Sequence, residues 1–109
     1  MPDRTRIDPV PAPELEGLAG TARLQALARM AEQTAFREPR RALELVAEGR
    51  RATSDPAITA AFAHAEALAR YYLGDTTAGI AMAIEVTTAF ERLGDEAGRS
   101  QALSLLADA

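Results

Sequence analysis

Leu73-Gly74-Asp75 and Leu93-Gly94-Asp95 are one three-residue interruption written twice, 20 positions apart, in a chain otherwise dense in alanine and leucine. Glycine adopts the left-handed conformation that closes many helices, and aspartate caps the start of the next. The repeated turn therefore predicts helix, tight turn, helix, tight turn, helix. Two further starts lie upstream. Ser54-Asp55-Pro56 offers a capping aspartate, Asp55, followed by proline at the first helical position. Glu38-Pro39 carries the same proline signal. Of the 109 residues 25 are alanine and 12 leucine, whereas valine and isoleucine together number seven. Strands draw on β-branched residues and helices on alanine and leucine. The chain is thus expected to be all-α.

The apolar spacing places the helices at about 14–36, 38–52, 56–73, 76–93 and 96–108. Leu24, Leu27, Ala28, Ala31 and Ala35 form the stripe of the first, with Gly17 and Gly20 weakening its start. Ala42, Leu43, Leu45, Val46 and Ala47 form that of the second. In the third, Ile58, Ala61, Phe62, Ala65, Leu68, Ala69 and Tyr72 recur at the i, i+3, i+4 spacing of one buried face. The fourth is apolar over more than half its circumference, so two neighbours should cover it. The fifth carries Ala102, Leu103, Leu105 and Leu106. Residues 1–13, with Pro2, Pro9, Pro11 and Pro13, read as an extended or disordered tail.

Helix starts recur at Asp55-Pro56 and Asp95-Glu96, 40 residues apart, and at Glu38-Pro39 and Asp75-Thr76, 37 apart. Leu27-Ala28-Arg29 and Leu68-Ala69-Arg70 lie 41 apart. A period near 40 with two helices per unit indicates antiparallel helix pairs stacked as a short α-solenoid of about five helices. On these residues the chain resembles the tetratricopeptide repeats, in a slightly lengthened form. His64 to Ala109 carries most of the likeness. Gly74-Asp75 matches the turn inside a repeat, Gly79, Ala81 and Ala83 stand where the two helices touch, and Phe90 stands at the second-helix aromatic. Arg37 to Arg51 looks like another second-repeat helix. The usual tryptophan is missing, no proline closes the fourth helix, and both intervals exceed the usual 34 residues.

Composition excludes several chemistries. There is no cysteine, so there is no disulfide, thiolate metal site or cysteine nucleophile. A single histidine, His64, argues against a metal centre, and it reads as a surface or groove residue. A net charge of −4 argues against a nucleic-acid partner. No apolar run reaches the roughly 20 residues of a membrane span, and the N-terminus lacks a secretion signal. All 12 basic residues are arginine, which suggests a GC-rich bacterial source and a cytoplasmic protein. Glu44 with Glu48, and Asp95 with Glu96, read as solvated or capping carboxylates rather than an acid–base pair. Arg40-Arg41 and Arg50-Arg51 are interleaved with glutamates and read as a solvated face.

The expected function is non-catalytic, with no cofactor and no metal. It is a protein–protein interaction, scaffold or sensor module. The likeness to tetratricopeptide repeats implies that the first helix of each pair lines a groove. His64, Ala67, Arg70 and Tyr71 are then the partner-binding candidates, Tyr71 packing against the next helix being the other reading of that residue. The likeness also implies the N-terminal region of a larger bacterial signalling protein, such as a diguanylate cyclase or transcription regulator. The alternatives are a small-molecule-binding helical domain and a self-associating bundle. Leu103, Leu105 and Leu106 on the last helix are the candidates for a homodimer contact, which Leu105→Arg should break while the helices stay folded.

Overall fold

The computed structural model describes residues 20–108 and consists there of five α-helices with no strand. The helices are α1 (Gly20–Thr34), α2 (Pro39–Ala52), α3 (Pro56–Tyr72), α4 (Thr76–Leu93) and α5 (Glu96–Asp108). The expected tail 1–13, the expected helical residues 14–19 and Ala109 lie outside the described residues. The first helix stops at Thr34 instead of 36, and Ala35, Phe36 and Arg37 form a turn. Pro39 pushes Glu38 out of the helical region, to φ −135° and ψ 70°, so the chain cannot run on as one helix into α2.

Both repeated turns close in the same way. The Gly74 amide donates to the Tyr71 carbonyl and the Asp75 amide to the Arg70 carbonyl. The Gly94 amide donates to Glu91 and the Asp95 amide to Phe90. This 5→2 and 6→1 pair is the Schellman closure, and it needs the positive φ of Gly74 (96°) and Gly94 (71°). Each aspartate then caps the helix that follows. Asp75 accepts from the Ala78 amide at 3.3 Å and Asp95 from the Gly98 amide at 2.9 Å. Asp55 caps α3, accepting from Ala57 at 2.8 Å and Ile58 at 3.3 Å, with Pro56 at the first position.

Helix α3 is the centre of the packing. It touches all four others, whereas neither α1 nor α2 brings a Cα within 8 Å of α4 or α5. Its Ile58, Phe62 and Ala65 join Leu27, Ala31, Leu45 and Val46 in a cluster with α1 and α2. Ala60 on its other side joins Val86, Phe90 and Ala102. Ala69 meets Ala35 and Ala42, and Ala67 meets Ala83 and Leu105. The apolar interior is therefore four small clusters strung along α3.

Small residues set how closely the helices approach. The Phe62 ring of α3 occupies the space where Gly49 of α2 lacks a side chain, and Phe90 of α4 covers Gly98 of α5 in the same manner. Gly79 lets α4 come directly onto the α3 backbone. A Cβ there would lie 2.9 Å from the Tyr71 nitrogen and 3.0 Å from the Ala67 carbonyl oxygen.

Gly79→Ala should therefore destabilise the fold. In an open helix the change gains up to about 1 kcal/mol of propensity. Here the obstacle is backbone, and overpacking costs roughly 1–3 kcal/mol. Urea denaturation should show a lower midpoint than for the parent chain, and a raised midpoint would contradict this packing.

Candidate functional site

Two clefts open on opposite sides of α3. The larger, of about 460 Å³, lies between the end of α2, α3 and α4. Its floor is Ala60 and Ala63 of α3, with Met82, Val86 and Ala89 of α4. Arg50, Ser54, Thr59 and Glu85 supply polar groups around it. An apolar floor with a few placed polar groups is the general character of a binding cleft. The short alanine side chains of α3 explain why the space exists, since α2 and α4 pack on α3 and not on each other.

A smaller pocket of about 230 Å³ adjoins it along α3 and shares Arg50. There Glu66, largely buried, is held by two arginines from different helices. Arg50 Nη1 of α2 lies 3.0 Å from Oε1, and Arg70 Nε donates to Oε2 at 2.8 Å. Arg50 is exposed, as expected of a solvated face, and it also ties α2 to α3.

The second cleft, of about 350 Å³, is formed by Gln25, Arg29 and Glu32 of α1, Ala57 and Ala61 of α3, and Asp95 in the α4–α5 turn. Its Glu32 approaches His64 of α3. The histidine is only 3% exposed, so it is not the surface or groove residue expected. Its Nε2 is 3.7 Å from Glu32 Oε1, its ring meets Phe90 edge-on at 6.3 Å, and its Nδ1 has no hydrogen-bond partner among the described residues. Burial lowers the His64 pKa below its ordinary value and raises that of Glu32. Desolvation favours the uncharged form of each.

The four groove candidates do not form one surface. His64 and Ala67 are buried. Arg70 turns to the α2 side, beside Glu66. Tyr71 turns to α5, where its hydroxyl donates to the Asp108 carbonyl at 3.3 Å and its ring lies against Ala67, Ala83 and Leu105. Tyr72, expected on the buried stripe, is 42% exposed and meets Phe36 edge-on at 5.1 Å. Among the self-association candidates, Leu105 is 4% exposed and belongs to the core with Ala67 and Ala83, so it is not a free dimer contact. Leu106 is half-buried beside it, and Leu103 is exposed. The α4 residues Ile84 and Leu93 are exposed, although α3 and α5 both cover that helix.

Among the described residues no cluster of three or more histidine, cysteine or acidic side chains has the geometry to hold a metal ion. None of the described helices is long and apolar enough to cross a membrane. Comparison with family models, curated proteins and solved structures finds no match to the chain.

Two outcomes follow from these positions. Leu105→Arg should unfold the helices rather than release a folded monomer, because the buried guanidinium would have no partner. Leu105→Ala should cost about 2–5 kcal/mol. Circular dichroism melts read both. For His64 the folded-state pKa is depressed, so the unfolded chain binds more protons in the window below about pH 6.5. The His64 contribution to stability is complete above that value and declines as pH falls through it. Glu32, with a raised pKa, works in the opposite sense: its ionisation on raising the pH above about 4.3 reduces stability. The Tm of His64→Leu should therefore change less between pH 7 and 5.5 than that of the parent chain, and an equal change in both would remove the role assigned to His64.

Proposed function

We propose that the chain is a non-catalytic helical interaction module that receives a segment of a partner protein in the cleft bounded by α2, α3 and α4. The observation that carries this reading is the apolar floor of Ala60, Ala63, Val86 and Ala89 beneath polar groups from three separate helices. Apolar contact supplies affinity, and charged groups at the edge set register. The likeness to tetratricopeptide repeats supports a scaffold or sensor role within a bacterial cytoplasmic signalling protein.

Thr59 is exposed and lines the cleft, so Thr59→Trp should fill it and leave the helices intact. Panning a random 12-residue peptide library on the immobilised chain should enrich binders that lose roughly tenfold or more in affinity for Thr59→Trp, the scale of one lost apolar anchor. The Tm of that variant should be close to the parent's. Failure to enrich any peptide sensitive to Thr59→Trp would remove this reading.

A second reading, self-association, is favoured by the exposed Ile84, Leu93 and Leu103 on α4 and α5. In that case light scattering should give a dimer mass that Leu103→Arg halves without altering the helical signal. A monomer mass for the parent chain at high concentration would exclude it.

A further inference from the structure

We propose that the segment received by the α2–α3–α4 cleft is an amphipathic helix with acidic residues along one edge, and that these carboxylates are taken by Arg50 and Arg70 in exchange with Glu66. The inference rests on the cleft being a peptide site and adds the chemistry of the occupant.

The cleft and the adjoining pocket follow one stripe of α3. Thr59, Ala60 and Ala63 line the first, and Glu66 and Arg70 the second. Residues 59 to 70 span about 16 Å at 1.5 Å per residue, some three helical turns. A groove of that length, walled by α2 along the second pocket and by α2 and α4 at the first, suits an apolar ridge of i, i+3, i+4 and i+7 side chains. The occupant's apolar residues lie over the alanines.

The charges give the groove a direction. Arg50 and Arg70 together offer two positive charges against the single negative charge of Glu66. Each guanidinium spends one contact on that carboxylate, Arg50 through Nη1 and Arg70 through Nε. An arginine has five N–H donors, so others are left for an incoming carboxylate, and bidentate capture of carboxylates is what a guanidinium does best. Both arginine side chains are more than a third exposed, whereas Glu66 is only 13% exposed. The cations are thus open to solvent and their internal counter-ion lies deep. The opposite wall carries Glu85, exposed and on α4. An acidic edge is therefore accepted toward α2 and disfavoured toward α4. Arg50 lines both pockets, so a ligand that draws it away from Glu66 joins them into one groove.

The test uses three fluorescein-labelled 15-residue helical peptides that share a leucine ridge at i, i+4, i+7 and i+11. One flank of the ridge carries glutamate, glutamine or lysine. Fluorescence anisotropy should show the glutamate peptide binding about tenfold tighter than the glutamine peptide, as expected for a charge-assisted contact. The lysine peptide should bind weakest, and the preference should shrink in 0.5 M NaCl. Glu66→Gln frees both guanidiniums and should tighten the glutamate peptide several-fold. Arg50→Gln should abolish most of the preference, and thermal melts report whether either variant remains folded. Arg70→Gln, which leaves the α2–α3 ion pair in place, serves if Arg50→Gln melts early. Equal binding of the three peptides, or a lysine preference, overturns the acidic edge while the peptide-site reading stands, provided Thr59→Trp blocks them. Binding by none of the three also overturns the inference, and the library selection with Thr59→Trp then decides whether the peptide site falls with it.

Discussion

Helix α3 has a neighbour on almost every side, and that constraint governs the rest of the molecule. A helix so surrounded cannot use large side chains all round, because axes must come within 8 to 10 Å of it from several directions. Seven of its 17 residues are alanine. The bulk that fills the interior is confined to a few points, and the neighbouring helix yields at each of them. Phe62 fits over Gly49, and Phe90 repeats the arrangement over Gly98. Dispersion forces reward such close contact, and any added methyl group there would be resisted by a rigid ring.

The same alanines produce the clefts. Small side chains draw α2 and α4 down onto α3 but give the two nothing with which to meet each other, and the space between them stays open. Arg50 and Ser54, near the end of α2 and in the turn that follows, stand at its edge, with Thr59 of α3 and Glu85 of α4. The cleft is thus a by-product of the packing rule, with Arg50 and Glu85 on its walls.

Local signals in the sequence translated directly into structure. The two Leu-Gly-Asp turns close and reopen helices through hydrogen bonds that involve only five or six consecutive residues, and Asp55-Pro56 starts α3 by the same local means. Five helices and their approximate ends were legible for that reason. Relations between helices were less so. A helical-wheel reading assigns α3 a single buried stripe, yet it buries two, which is why His64 and Ala67 turned out to be interior and Tyr72 exposed. Leu105 belongs to the packing of α5 on α3 and α4, and no pattern within α5 separates it from Leu103. The Arg50–Glu66–Arg70 bridge was half visible, since Glu66 and Arg70 have the favourable i, i+4 order. Its third member comes from α2, 16 positions earlier, where no periodicity points to it.

The position of α3 also couples the two faces of the molecule. Its residues 59, 60 and 63 floor one cleft, and 57, 58 and 61 floor the other. Neither α1 nor α2 brings a Cα within 8 Å of α4 or α5, so α3 is the one wall that the two clefts share. A substitution that shifts or tilts this helix therefore bears on both clefts at once.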